Sequence, residues 1–294
     1  MKVRLITAII AAAVFIPILI FSHTWIFPCA MALASVLGCF EMISCVGQKK
    51  NLWLMIPMCI FAALAPIGVR YFSSYRPTPW SAVSPYASSF NDFLMLAVCV
   101  AIVMAIYIFG VAVFANKTLP ITDAAMVIAG CLYIISAFVA IVYLRDYVLH
   151  GNFVYLLIFF VAWMSDSFAY FTGRLFGKHK LIPAVSPKKT VEGAIGGVVF
   201  GVITAVVFGF VVSTFFDPED VITANYLVLA ISGMFLSVVS QIGDLIMSVI
   251  KRHYNIKDYG KFFPGHGGIL DRFDSIIAVS LVMAVICTYF NFFA

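Results

Sequence analysis

Charge is what this sequence has least of. Asp, Glu, Lys and Arg make up 11% of its 294 residues, against about 25% in a typical soluble domain. Apolar side chains supply 64% and the mean hydropathy is +1.09. That balance excludes a water-soluble globular fold. Also missing is any Cys-x-x-Cys pair: Cys29, Cys39, Cys45, Cys59, Cys99, Cys131 and Cys287 lie in or beside apolar runs. Their spacing fits no zinc or disulfide framework, and they read as small buried apolar residues. A GxxxxGK[ST] loop is lacking, which excludes a P-loop nucleotide site. No internal repeat of useful strength supports an inverted-repeat transporter.

What is present is hydrocarbon in long runs. Nine segments are long enough to cross a bilayer, near 5–22, 25–46, 52–69, 93–115, 121–144, 152–173, 191–215, 223–250 and 272–292, since a span needs about 20 helical residues. The expected fold is therefore all-α, a polytopic membrane bundle forming one domain over 1–294. Residues 1–150 are expected to supply scaffold and oligomer contacts, and 151–294 the catalytic spans and loops. The first run continues too far for a signal peptide and reads as a retained span. The stretch before the fourth span carries Pro77, Pro79 and Pro85 and reads as a loop, with Trp80 and Tyr86 at the interface.

Placing the N-terminus in the cytoplasm puts 15 Lys and Arg residues on that side and 3 (Arg70, Arg76 and Arg145) on the other. Positive residues favour the cytoplasmic side, so this orientation is expected. The same bias accounts for the net charge of +5, and no nucleic-acid partner is expected.

The charge that does occur is concentrated. Residues 243–274 read GDLIMSVIKRHYNIKDYGKFFPGHGGILDRFD and hold four of the thirteen acids and five of the eighteen basic residues. Asp166 precedes Arg174 by eight residues and Asp244 precedes Lys251 by seven, which places both carboxylates roughly 10–12 Å inside the same end of their helices. Asp271 and Asp274 open the last span, three residues apart and therefore on one face. A carboxylate within a span costs about 2.5–3.5 kcal/mol to insert. Several elements delivering acids to a similar depth point to a site.

A second charged loop, GRLFGKHKLIPAVSPKKTVEG, runs over 173–193. Lys188, Lys189 and Thr190 precede the seventh span, so ammonium groups and a helix N-terminus face the same place, a combination that attracts phosphate. Beyond them Gly193, Gly197 and Gly201 recur every fourth residue, a stripe for close helix packing. Carboxylates with basic residues and flexible glycines suggest a metal–phosphate site, because Mg²⁺ is bound by one or two carboxylates together with substrate phosphates. The FPGHGG loop lets backbone approach a ligand, and His266 within it is placed to bind phosphate or pass a proton. A cavity at headgroup depth suits one phospholipid substrate and one cytoplasmic nucleotide. Glu41, near the Lys49–Lys50 loop, reads as a supporting or rim acid, and Asp123 as a first-turn acid.

Residues 248–274 resemble the signature of the phosphatidate cytidylyltransferase (CDP-diacylglycerol synthase) family. Ser248, Lys251, Arg252, Lys257, Asp258, Gly260, Pro264, His266, Gly267, Gly268, Asp271, Arg272 and Asp274 match its pattern. The resemblance extends upstream through Gly243–Asp244, the SPKKTVEG stretch and Asp166, covering about the C-terminal half. It implies transfer of CMP from CTP to phosphatidic acid, giving CDP-diacylglycerol and pyrophosphate. It also implies Mg²⁺, with a second, monovalent cation as an option, and a homodimer in the bacterial inner membrane with its site facing the cytoplasm. By the same resemblance Asp166, Asp244 and Asp271 hold the metal, and Asp244, Asp271, Lys189 and Arg272 are catalytic. Lys251, Arg252, Lys257, His266, Gly267, Gly268, Ser248, Ser186 and Thr190 bind substrate or phosphate, with Asp274 and Glu192 supporting. A CTP-dependent lipid kinase of the polyprenol or phytol type and an ion-coupled secondary transporter are the alternative readings.

Overall fold

A computed structural model of the chain describes residues 2–74, 87–115, 118–216, 222–265 and 267–293, with side chains described except at 2–6, 8 and 73–94. Trp80, Tyr86, Lys117, the Asp-Pro-Glu-Asp loop at 217–220 and His266 lie outside the described residues. Among the described residues there are nine helices: α1 (Lys2–Ile20), α2 (Ile26–Cys45), α3 (Leu52–Ser74), α4 (Ala87–Phe114), α5 (Ile121–Tyr147), α6 (Gly151–Phe176), α7 (Val191–Phe215), α8 (Tyr226–His253) and α9 (Leu270–Tyr289). Seven of these, α2 to α8, contain stretches long and apolar enough to cross a membrane. The protein is an all-α polytopic membrane protein. In α9 the hydrocarbon is interrupted early by Asp271, Arg272 and Asp274.

Local chemistry explains the start of α7 and both ends of α8. Thr190 caps α7 by accepting the Gly193 N–H, and Asn225 caps α8 by accepting the Val228 N–H, the usual service of short polar side chains to orphan amides. Lys251, Arg252 and His253 close α8, where cations complement the helix dipole. Pro17 in α1 and Pro57 and Pro66 in α3 lie inside helices, which membrane spans tolerate better than soluble helices do. Large side chains such as Val113 and Ile106 of α4 stand exposed. In water such a surface would associate; against lipid it is the proper exterior.

The chain divides into two compact units. One contains residues 1–146 together with 258–271, the other 147–257 together with 272–294. In the first, α2 meets α5 closely: Gly38 lies against Ile134 and Leu270, and Gly130 against Met42. Phe27, Met42, Ile43, Ile134 and Phe138 are fully buried there.

In the second unit α7 is clasped between α6 and α8. A Cβ on Gly193 would meet the Ala169 carbonyl, one on Gly197 the Ser165 carbonyl, and one on Gly201 the Ser237 side chain. The four-residue glycine stripe is thus the contact line itself. Gly201→Val is expected to overpack that line, costing about 1–3 kcal/mol and lowering the thermal midpoint of detergent-solubilised protein by several degrees. A thermal shift measurement against wild type checks it.

The loop between α6 and α7 contains structure that its sequence does not advertise. β1 (Lys180–Ile182) and β2 (Ser186–Thr190) form an antiparallel hairpin. Lys-Leu-Ile and Ser-Pro-Lys-Lys-Thr show little of the β-branched alternation that marks a strand. Pro187 is tolerated because in a two-stranded ribbon both strands are edges.

Candidate active site

Three acids of the second unit line one cavity. Asp166 sits in α6 ten residues before the helix ends, and Asp244 in α8 nine residues before its end. Asp274 comes from the first turns of α9. All three line a cavity of about 320 Å³ together with Lys188, Lys189, Arg174 and Tyr170. That volume is at the lower end of the range for small-molecule pockets.

Each carboxylate is held. Asp166 Oδ2 accepts from the Ser275 hydroxyl at 2.9 Å, and its Oδ1 from the Ser240 hydroxyl at 3.4 Å. Hydrogen bonds to a charged group contribute about 1.5–3 kcal/mol each, which offsets much of the insertion cost of the acid. Asp244 Oδ1 accepts from Ser248 at 3.3 Å, one turn on, while its Oδ2 lies 2.6 Å from Lys189 Nζ. Asp274 Oδ1 accepts the Ser275 N–H at 2.9 Å.

Lys189 is the basic counterpart of this set. Its side chain and that of Asp244 are each about one-quarter exposed. The Lys189 nitrogen itself is screened from solvent and makes no well-aligned hydrogen bond, although it is in ion contact with Asp244. An ammonium carries three donors, and the rest of the Lys189 side chain lines the cavity.

Its placement follows from the hairpin. Thr190, immediately after it, is wedged against Gly173, Gly177 and Gly193, where any Cβ would strike its side chain. Glu192 accepts the N–H groups of Lys178 and His179 and lies 2.6 Å from His179 Nδ1, so it braces the chain entering β1. Ser186 pairs with Ile182 across the hairpin. Gln241, also on the cavity wall, donates to the Ala194 carbonyl at 3.1 Å and ties α8 to α7.

The remaining expected residues have other surroundings. Lys251 is buried at the end of α8. Arg252 Nη1 donates to the Ile256 carbonyl at 3.2 Å, finishing the end of α8. Lys257 and Arg272 are exposed. Asp271 belongs to the first unit, where its Oδ2 accepts the Tyr259 N–H at 2.8 Å and the Gly268 N–H at 2.9 Å. Gly267 takes φ +87 and Gly265 φ +78, backbone conformations that glycine adopts at little cost.

Sequence reasoning missed Ser240, Ser275, Gln241, Arg174 and Tyr170. Ser240 lies one helical turn before Asp244 and was legible as sharing its face; Ser275 carried no signal beyond adjacency to Asp274. An all-oxygen set of carboxylates and hydroxyls suits a hard cation. Among the described residues, no three His, Cys, Asp or Glu groups converge into a closed metal cage. Carboxylates on the wall of an open cavity are the kind of donor that Mg²⁺ takes together with water and phosphate.

The chain is similar to proteins of one kind along nearly its full length. It is 35% identical over 280 residues to the phosphatidate cytidylyltransferase of Staphylococcus haemolyticus, covering 95% of this chain and 96% of the relative. It is 31% identical over 279 residues to that of Bacillus subtilis, covering 95% and 94%. With the Staphylococcus aureus protein of the same name it shares 32% over 281 residues, covering 95% and 96%. The model of the Cytidylyltransferase family matches residues 2–290, which extends the likeness through the N-terminal spans. A cavity walled by acids and lysine, in a chain matched from end to end, leads to one assignment: this protein belongs to the cytidylyltransferase family.

Proposed function

We propose that this protein is a phosphatidate cytidylyltransferase, a nucleotidyltransferase of phospholipid biosynthesis acting in a bacterial plasma membrane. The observation that carries the reading is the Lys189–Asp244 pair at 2.6 Å on the wall of a cavity shared with Asp166 and Asp274, in a chain whose similar proteins bear that name over 95% of its length. An oxygen of the phosphatidate phosphate bonds to the α-phosphorus of CTP. The bond from that phosphorus to the bridging oxygen breaks, and its electron pair leaves with pyrophosphate. A phosphate monoester is already ionised near neutral pH, so the nucleophile needs no strong base. The protein's contribution is alignment and charge neutralisation, as in other phosphoryl transfers.

Lys189 is placed to receive phosphate oxygens, with Lys188 and Arg174 on the same wall. Thr190 keeps Lys189 in register by locking the hairpin to α6 and α7. Asp166 and Asp244 are the carboxylates that would hold Mg²⁺, with Asp274 beside them and Asp271 added by the family resemblance; a monovalent ion is the second cation proposed. Bound Mg²⁺ would reduce the repulsion between two anionic substrates and polarise the phosphoryl oxygens. The excess of Lys and Arg on one side supports a cytoplasmic orientation for this cavity, and the active form is proposed to be a homodimer.

Purified protein is expected to release pyrophosphate from CTP only when phosphatidate and Mg²⁺ are both supplied. Release of CDP together with a phosphorylated lipid alcohol would select the kinase reading instead. Absence of either product with CTP and both lipid classes present would overturn the enzyme assignment.

A further inference from the structure

The N-terminal half, by sequence a run of hydrophobic spans, contributes a charged residue to the segment that carries the family signature. Glu41 of α2 is 6% exposed. Its Oε1 accepts the Ile269 N–H and its Oε2 the Leu270 N–H, each at 2.9 Å. Those amides stand at the start of α9, where a helix leaves its first N–H groups without intrahelical acceptors. Gly268 and Gly260 both lie against the Glu41 carboxylate, so closely that a Cβ on either would collide with it. The cradle is therefore shaped to the acid from three sides.

Asp271 complements it by taking the Tyr259 and Gly268 N–H groups. It closes the loop on itself, whereas Glu41 ties the loop to another helix 228 residues away in sequence. Phe263 and Gly267 bridge within the same loop, and the Thr7 hydroxyl of α1 donates to the Pro264 carbonyl at 3.1 Å.

We propose that Glu41 is a positioning residue for the 258–271 loop, holding the backbone at Gly260, Gly268 and the start of α9 in the conformation that the transfer reaction uses. This rests on the reading of the protein as a phosphatidate cytidylyltransferase. A carboxylate is required because both amides need an acceptor at once. A glutamine has one acceptor oxygen and must turn its NH₂ toward the second N–H. Aspartate keeps both acceptors but withdraws them by one methylene.

The test pairs turnover with amide hydrogen exchange on the full-length protein in detergent. Glu41→Gln is expected to lower kcat for pyrophosphate release by ~10–100-fold, the scale that a misplacement of about 1 Å produces. Peptides covering 258–271 should exchange faster, while those from the α2 and α5 core keep wild-type protection. Glu41→Asp should show a smaller change in the same two readouts, and it replaces Glu41→Gln if that variant fails to accumulate. Wild-type kcat in these variants, or a fall in kcat with loop protection unchanged, overturns the proposal. A wild-type protein that releases no pyrophosphate would instead sink the functional reading, and the exchange experiment would then decide the positioning role alone.

Discussion

Asp244→Asn is expected to leave a folded, membrane-inserted protein whose pyrophosphate release is lower by ~10³-fold, the upper range for loss of one preorganised electrostatic group. The substitution preserves shape, so packing in α8 is undisturbed. What changes is charge. Lys189 loses the anion that holds its ammonium 2.6 Å away, and the cavity loses one of the two acids proposed to hold Mg²⁺. Because both partners are about one-quarter exposed, the cost to stability is about 1 kcal/mol or less, much smaller than the effect on the reaction. The variant should also need more Mg²⁺ to reach its residual maximum. Thermal unfolding and a Mg²⁺ titration of pyrophosphate release, run on the same preparations, separate the two effects. Turnover close to wild type would remove Asp244 from the reaction and with it the proposed metal site.

Lys189→Ala carries the second large effect, expected at ~10²–10³-fold in kcat/KM. Lys189 lines the cavity with its ammonium 2.6 Å from Asp244, so a phosphate drawn to that cation is drawn to the acids. Truncation removes that cation and leaves Asp244 without its ion partner. Lys189→Arg restores charge but not geometry, since a planar guanidinium fork is wider and more rigid than an ammonium on a flexible stem. It should recover only part of the loss. Combining Lys189→Ala with Asp244→Asn should cost little more than the worse single change, because the two side chains act as a unit. Initial rates across a CTP series for the two single variants and the double variant measure this directly, and strictly additive losses would show the pair to be independent.

Much of this protein is legible in one dimension. Apolar runs of about 20 residues announce membrane helices whatever their neighbours are, because lipid leaves a backbone few alternatives to satisfying its own hydrogen bonds. That is why the ends of α7 agree with the sequence reading at Val191 and Phe215. Asp166, Asp244 and Lys189 were equally visible, since charge inside hydrocarbon is costly enough to be conspicuous. The hairpin at 180–190 was not visible, because its strands are short and weakly patterned and are held by contacts such as Thr190 against the glycines of α6 and α7.

The sequence by itself determined that there would be helices in a membrane and that acids and lysines would meet near one end of several of them. The different hydrogen-bond partners of Asp271 and Asp274 were decided by tertiary structure. Three residues apart on a helix, they share a face in any sequence diagram. In the folded chain Asp274 lines the cavity with Asp166 and Asp244, while Asp271 takes the amides of Tyr259 and Gly268. Tertiary structure likewise chose Glu41 to receive the amides of Ile269 and Leu270. The physical reason is the same in each case. Sequence spacing sets which way a side chain can point on its own element, but a hydrogen bond depends on which donor the fold brings within 3 Å; for Asp271 the donors lie 3 and 12 residues away, and for Glu41 more than 200.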